Sequence, residues 1–282
     1  MLVSVALGGE LGHAEASSSS AGVLAYSRVT DGYWQIWTYD LKTEMHVQRT
    51  SSPSDKRDPA WRSDGGITFR SHNDELFELA ADGGEAVPYR PDLWPAFDPA
   101  GAPRDARIAL AKMYSDVRDS TSIWIVGSKK GEQRVLTKGK GFWTHPDWSS
   151  DGKRLVYIRS FGYRGSELRT IDVDDGNERI LLEDRAHNMQ PEWSPDDRSI
   201  AYVSDRSGDY EIYVRDVASG TDRQLTTRPG LDIRPSWSPD GSRIAYTSFR
   251  EGKLEIWTMA ADGSSAQRLF GCDADASDPA WR

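Results

Sequence analysis

The sequence predicts an all-β fold: a six-bladed β-propeller of four-stranded antiparallel blades, with the ring closed by the two chain ends. Three observations carry this. A Pro-x-aromatic step recurs six times, at Pro59/Trp61, Pro95/Phe97, Pro146/Trp148, Pro191/Trp193, Pro235/Trp237 and Pro279/Trp281, and successive aromatics lie 36 to 51 residues apart. That period suits a four-stranded propeller blade better than any helical repeat. Eleven Trp and eleven Tyr beside five Met point to many short aromatic-bearing strands rather than to helix packing. The last Pro-x-Trp stops at Arg282 with no strands behind it, whereas residues 22–50 read as a second, third and fourth strand without a first. Residues 278–282 therefore complete the N-terminal blade, which removes the exposed edges of an open array.

The plainest copy of the unit is residues 234–270. Pro235 and Trp237 open it, Ser238-Pro239-Asp240-Gly241 makes a turn, and Ile244 to Thr247 reads as the second strand. Pro at the second turn position presets its backbone angle and Gly at the fourth is favoured there. Leu254 to Thr258 alternates apolar with polar, a second turn falls at Ala261-Asp262-Gly263, and Ala266 to Leu269 forms the fourth strand. The third strand is recognisable in every copy: from Trp34, Glu75, Ser122, Glu167, Glu211 and Glu255. Its two-residue alternation turns one face toward the neighbouring blade. Blades after the first are expected to start near 58, 94, 145, 190 and 234. The second and third depart most, with Phe97 in place of Trp and a longer first turn after it. Such insertions map to loops.

Composition excludes several function classes. A net charge of −9 with both signs interspersed offers no electrostatic footprint for nucleic acid. No run approaches the roughly 20 apolar residues of a membrane span. A single cysteine, Cys272, excludes an internal disulfide and a Cys-rich metal site, and reads as an unpaired loop thiol. Residues 1–21 stand apart from the repeats as a disordered tail or the remnant of an export signal: Met1 to Leu7 is apolar and Ala14-Glu15-Ala16 resembles a cleavage site, but the basic segment is missing. Residues 22–282 then form one propeller, expected to be monomeric and periplasmic or secreted, with the cytoplasm as the alternative.

The repeats "PEWSPDDRSIAYVSDRSGDYEIYVRD" and "PSWSPDGSRIAYTSFREGKLEIW" resemble the propeller repeats of the TolB family, periplasmic proteins of the Tol–Pal envelope system. The likeness covers nearly all of residues 22–282. The family carries an α/β domain before its propeller, where this sequence has only about twenty unpatterned residues. Similar repeats occur in propellers attached to prolyl-oligopeptidase-type peptidases, but no G-x-S-x-G elbow exists here.

Immediately before each Pro stand Asp58, Trp94, His145, Gln190, Arg234 and Asp278. In a propeller these six should ring the mouth of the central funnel. They differ from blade to blade while the flanking steps repeat, so they are the candidate ligand-binding residues, against a plain reading as water-bridged channel polars. Asp58 and Asp278 come from adjacent blades, and with Asp275 they form a candidate calcium site, since hard cations take several oxygen ligands. The bland alternative is a solvated acidic loop. His145, Gln190 and His187 make an alternative transition-metal set, which resembles the His and Gln clusters of propeller lyases acting on acidic sugars. Exposed aromatics at Trp94, Phe142, Trp143 and Tyr163 could form a sugar or peptide platform or simply pack the blades. "IDVDDGNE" at 171–178 is hairpin turn chemistry. The expected function is a non-catalytic scaffold whose funnel recognises a protein segment or small ligand, with calcium as the candidate bound ion; the alternative is a metal-dependent lyase or hydrolase.

Overall fold

The computed structural model describes residues 22–113, 120–139, 141–271 and 273–282. The tail or export-signal reading of 1–21 and the free thiol of Cys272 lie outside these residues. Six four-stranded antiparallel sheets are present among them. Blade one contains Ala276–Trp281, Val23–Thr30, Tyr33–Asp40 and Met45–Gln48 in sheet order; blade two contains Lys56–Trp61, Ile67–Ser71, Leu76–Leu79 and Val87–Pro88. Blade three runs Ala96–Gly101, Ile108–Met113, Thr121–Val126 and Gln133–Val135; blade four runs Phe142–Trp148, Arg154–Ser160, Ser166–Asp172 and Glu178–Asp184. Blade five is Asn188–Trp193, Ser199–Ser204, Glu211–Asp216 and Asp222–Gln224, and blade six Leu231–Trp237, Arg243–Arg250, Lys253–Ala260 and Gln267–Arg268.

The ends close the ring as the missing first strand requires. Leu24 pairs with Trp281, Ala25 with Ala280 and Arg28 with Ala276. The Val23 amide donates to the Arg282 carbonyl at 2.8 Å, and the Arg282 amide donates back to Val23 at 2.9 Å.

The core is not one mass but six layers, each at a junction between blades. Strand alternation explains this. In blade one Leu24 and Tyr26 pack against Ala245 and Ile256 of blade six, while the intervening Ala25, with Ile36, packs against Ile67 and Phe69 of blade two. The same two-sided use recurs in blade six, where Ile244 and Tyr246 face blade five and Ala245 faces blade one. Tyr26, Tyr157, Tyr202, Tyr246 and Phe69 are the largest fully buried side chains and all lie on second strands. Fully burying an aromatic of this kind contributes roughly 1.5–3 kcal/mol relative to leaving it in water.

Candidate functional site

Each inner strand is broken at its Pro. The antiparallel register slips between Ala25 and Ser27 opposite Pro279, and between Arg57 and Ala60, Phe97 and Ala100, Thr144 and Asp147, Met189 and Glu192, and Ile233 and Ser236. Pro has no N–H to give the ladder, so a bulge forms there. The residue before it takes a left-handed backbone in all six blades: Asp58 (φ 55), Asp98 (φ 50), His145 (φ 52), Gln190 (φ 52), Arg234 (φ 55) and Asp278 (φ 59). For non-glycine residues that conformation costs about 1–2 kcal/mol each, and such strain persists only where surrounding structure enforces it. All six residues line a chamber of about 280 Å³ on the propeller axis.

The ring corrects one expectation. Trp94 is not a member; Asp98, before Pro99, takes the third place. Trp94 is 58% exposed and its indole N–H donates to the Asn73 carbonyl at 2.7 Å. The Pro-x-aromatic step misleads in this blade because Gly101 occupies the position that holds Trp elsewhere. A Cβ there would meet the Trp61 carbonyl oxygen at 2.0 Å. The usable signal was the Asp-Pro dipeptide, present at 58–59, 98–99 and 278–279.

Ring side chains fall into two alternating sets. Asp98 accepts from the His145 amide at 3.0 Å, Gln190 from the Arg234 amide at 3.0 Å, and Asp278 from the Asp58 amide at 3.5 Å. Three acceptors on alternate blades thus hold the bulge of the next blade. Asp58, His145 and Arg234 keep their side chains for other contacts.

Charge is concentrated where the chain ends meet. Arg234 Nη1 lies 2.7 Å from Asp58 Oδ1 and its Nε 2.8 Å from Asp278 Oδ1. Arg57 reaches Asp278 at 3.1 Å and Arg70 reaches Asp58 at 2.8 Å. Burial pushes the Asp278 carboxyl up, but Arg234 and Arg57 override it and hold it well below the usual carboxylate range. Burial pulls Arg234 down, and Asp278 and Asp58 more than reverse this, so it stays a cation.

Asp275 does not join Asp58 and Asp278. Its carboxylate accepts from the Leu254 amide at 2.9 Å, as Asp55 does from the Trp34 amide at 3.0 Å one blade on. His187 stands apart from His145 and Gln190 too: its amide and Nδ1 both lie 2.8 Å from the Asp205 carboxylate. His145 Nδ1 lies 3.0 Å from Thr144 Oγ1, and its Nε2 is 3.9 Å from Asp98. Among the described residues no three of His, Cys, Asp and Glu gather as a metal would require. The aromatic platform likewise divides. Trp143 is buried under the Arg159 guanidinium, 5.2 Å above its ring, whereas Phe142 and Tyr163 are exposed.

Two further chamber residues were not legible as site residues. Asp147 and Glu192 follow the Pro of blades four and five and line the chamber below the ring. Asp147 Oδ2 accepts from the Trp193 amide at 2.8 Å, and Glu192 Oε1 from the Trp237 amide at 2.8 Å and the Ser236 hydroxyl at 3.2 Å. Burial pushes the Asp147 carboxyl up to about 7. Burial, then the neighbouring Asp147, raises Glu192 well above its ordinary value. The position after Pro reads Ala, Ala, Asp, Glu, Ser, Ala around the ring, and that variation was the only sequence signal.

The fold is a six-bladed propeller with repeated backbone geometry and a polar chamber on its axis. The chain belongs to the TolB beta propeller domain family, whose model matches residues 105–282. Among solved structures, TolB from Acinetobacter baumannii is similar at 20% identity with a TM-score of 0.79, covering 92% of this chain and 66% of that one. This chain thus spans just under two thirds of that protein's length. A putative TolB from Agrobacterium tumefaciens is similar at 21% identity, TM-score 0.75, covering 90% and 91%. An oligogalacturonate lyase in complex with manganese shares the fold at 16% identity, TM-score 0.61, covering 89% and 74%. At these identities the likeness is one of fold. No curated protein matches. No helix among the described residues is long and apolar enough to cross a membrane.

Proposed function

We propose that this protein is a non-catalytic binding propeller whose axial chamber captures a protein segment or small ligand. One observation carries the reading: six backbones of the same bulged geometry present six positions to one chamber, and the side chains at those positions are Asp58, Asp98, His145, Gln190, Arg234 and Asp278. Three are Asp and the others His, Gln and Arg, whereas a fold that needed only a filled axis would place apolar residues there. Polar groups converging in a concave site are what fix a ligand's orientation. Periplasmic residence, as in the TolB family, goes with this reading and is checked by cell fractionation.

The test uses the two indoles, Trp61 and Trp281, that line the chamber. A peptide array read out by Trp fluorescence should yield ligands, and Ala280→Phe, which fills the chamber from its wall, should abolish their binding while leaving the circular dichroism spectrum unchanged. Ligands that bind A280F as well as the parent protein would place recognition elsewhere.

A further inference from the structure

The charge lining the chamber is unbalanced, and the imbalance has a direction. Five carboxylates line it, from Asp58, Asp98, Asp147, Glu192 and Asp278, against one guanidinium, that of Arg234. Arg234 is already committed to Asp58 and Asp278, which also receive Arg70 and Arg57. On the other side of the ring Asp147 and Glu192 belong to neighbouring blades and repel one another. Among the described residues no Lys or Arg forms an ion pair with Asp98, Asp147 or Glu192; Asp98 has only His145 Nε2 at 3.9 Å. The chamber therefore contains two carboxylate pairs on adjacent blades, one bridged by a guanidinium and one not.

We propose that the group entering the chamber is an organic cation, a Lys or Arg side chain of a captured peptide or an equivalent amine, seated between Asp147 and Glu192 as Arg234 is seated between Asp58 and Asp278. This rests on the chamber being the binding site. An organic cation fits better than a metal ion because the carboxylates are spread along the wall rather than gathered about a point. A guanidinium or ammonium spans such a spread with several N–H donors. Backbone amides hold both carboxylates in place, Trp193 and Trp148 at Asp147 and Trp237 at Glu192; at Glu192 the Trp237 amide and the Ser236 hydroxyl both go to Oε1, and the ligand is assigned to Oε2.

The charged and titratable groups around this pair are Asp197 beside Asp147, each carboxyl for the other, and His145 and Arg234 in the ring above. Burial, with Asp197 acting on Asp147 and Asp147 acting on Glu192, keeps part of the pair protonated near neutral pH. A cation seated there favours the ionised forms, so its binding must expel protons.

The experiment titrates the full chain at pH 6.5 with acetylated, amidated peptides in which a central residue, Lys, Arg, norleucine or Glu, is flanked on each side by a glycine triplet, and with calcium chloride. Calorimetry is run in two buffers of different ionisation enthalpy. The Lys or Arg peptide should bind at least tenfold tighter than the norleucine or Glu peptide and release protons, and Glu192→Gln should lower its affinity at least tenfold and reduce the release to what Asp147 alone supplies. Equal affinity for the Lys and norleucine peptides, preference for Glu, calcium binding that displaces the Lys peptide, or no binding by any peptide would overturn the inference. Binding of the neutral or acidic peptide that is lost in A280F would overturn the cation and keep the chamber. Binding of the Lys peptide that survives in A280F would overturn the chamber itself.

Discussion

Arg234 and Asp278 meet at 2.8 Å across the junction where the ring closes. Asp278 lies on the C-terminal strand that completes blade one, and the same guanidinium continues to Asp58 of blade two at 2.7 Å. One side chain of blade six therefore ties the C-terminal strand of blade one to blade two. Removing one partner of a buried pair leaves the other uncompensated, at about 3–5 kcal/mol. Asp278→Ala leaves Arg234 paired with Asp58 but takes the acceptor from Arg57, from the Arg234 Nε and from the Asp58 amide, so it should cost about 3 kcal/mol, the lower end of that range, read as a fall in the urea midpoint without a change in slope. Arg234→Met, which leaves Arg57 and Arg70 on the two carboxylates, should cost less.

Asp147 and Glu192 set the pH response. Both are raised in the folded protein, so the folded state holds protons that the unfolded chain, with carboxylates near 4, has lost. Their contribution to stability is whole below about pH 4 and is lost as pH rises through about 7. Asp278 has the opposite sign: its contribution is whole above the unfolded value near 4 and is lost as pH falls from there into strong acid, below the range from pH 5 to pH 7. Chemical denaturation should show the protein more stable at pH 5 than at pH 7; in E192Q, which keeps the acceptor for the Trp237 amide, the difference should shrink.

Gly101 stands where five blades carry Trp, and the repeat alone would nominate Gly101→Trp as stabilising. The backbone of Trp61 excludes it, since even a Cβ would lie 2.0 Å from that carbonyl oxygen. Overpacking costs typically about 1–3 kcal/mol and sometimes more. Both Gly101→Ala and Gly101→Trp should lower the melting temperature, Trp the more.

Trp94 and Asp98 separate the apparent ring from the real one. Trp94→Ala removes an exposed side chain and should leave chamber ligands bound with unchanged affinity. Asp98→Ala removes the acceptor of the His145 amide, costs about 1–3 kcal/mol of stability, and should weaken the same ligands in fluorescence titration.

Repeats made the blades readable because each copy restates the same local chemistry: a Pro that interrupts the ladder, an Asp-Gly or Pro-Asp turn, and an alternating third strand. Closure was readable because the orphan strand at 278–282 and the missing one before Val23 are local facts about the two ends. Five of the six ring positions, Asp58, His145, Gln190, Arg234 and Asp278, followed from the same register. Tertiary structure decided the rest. Approach of the Trp61 backbone forced glycine into the third blade and hid its ring residue, Asp98. Only assembly around the axis brought Asp147 toward Glu192, or placed Arg234 between the carboxylates of Asp278 in blade one and Asp58 in blade two. Strand pattern is written in neighbours two residues apart, whereas charge pairing in a closed ring depends on distances between blades that no local segment encodes.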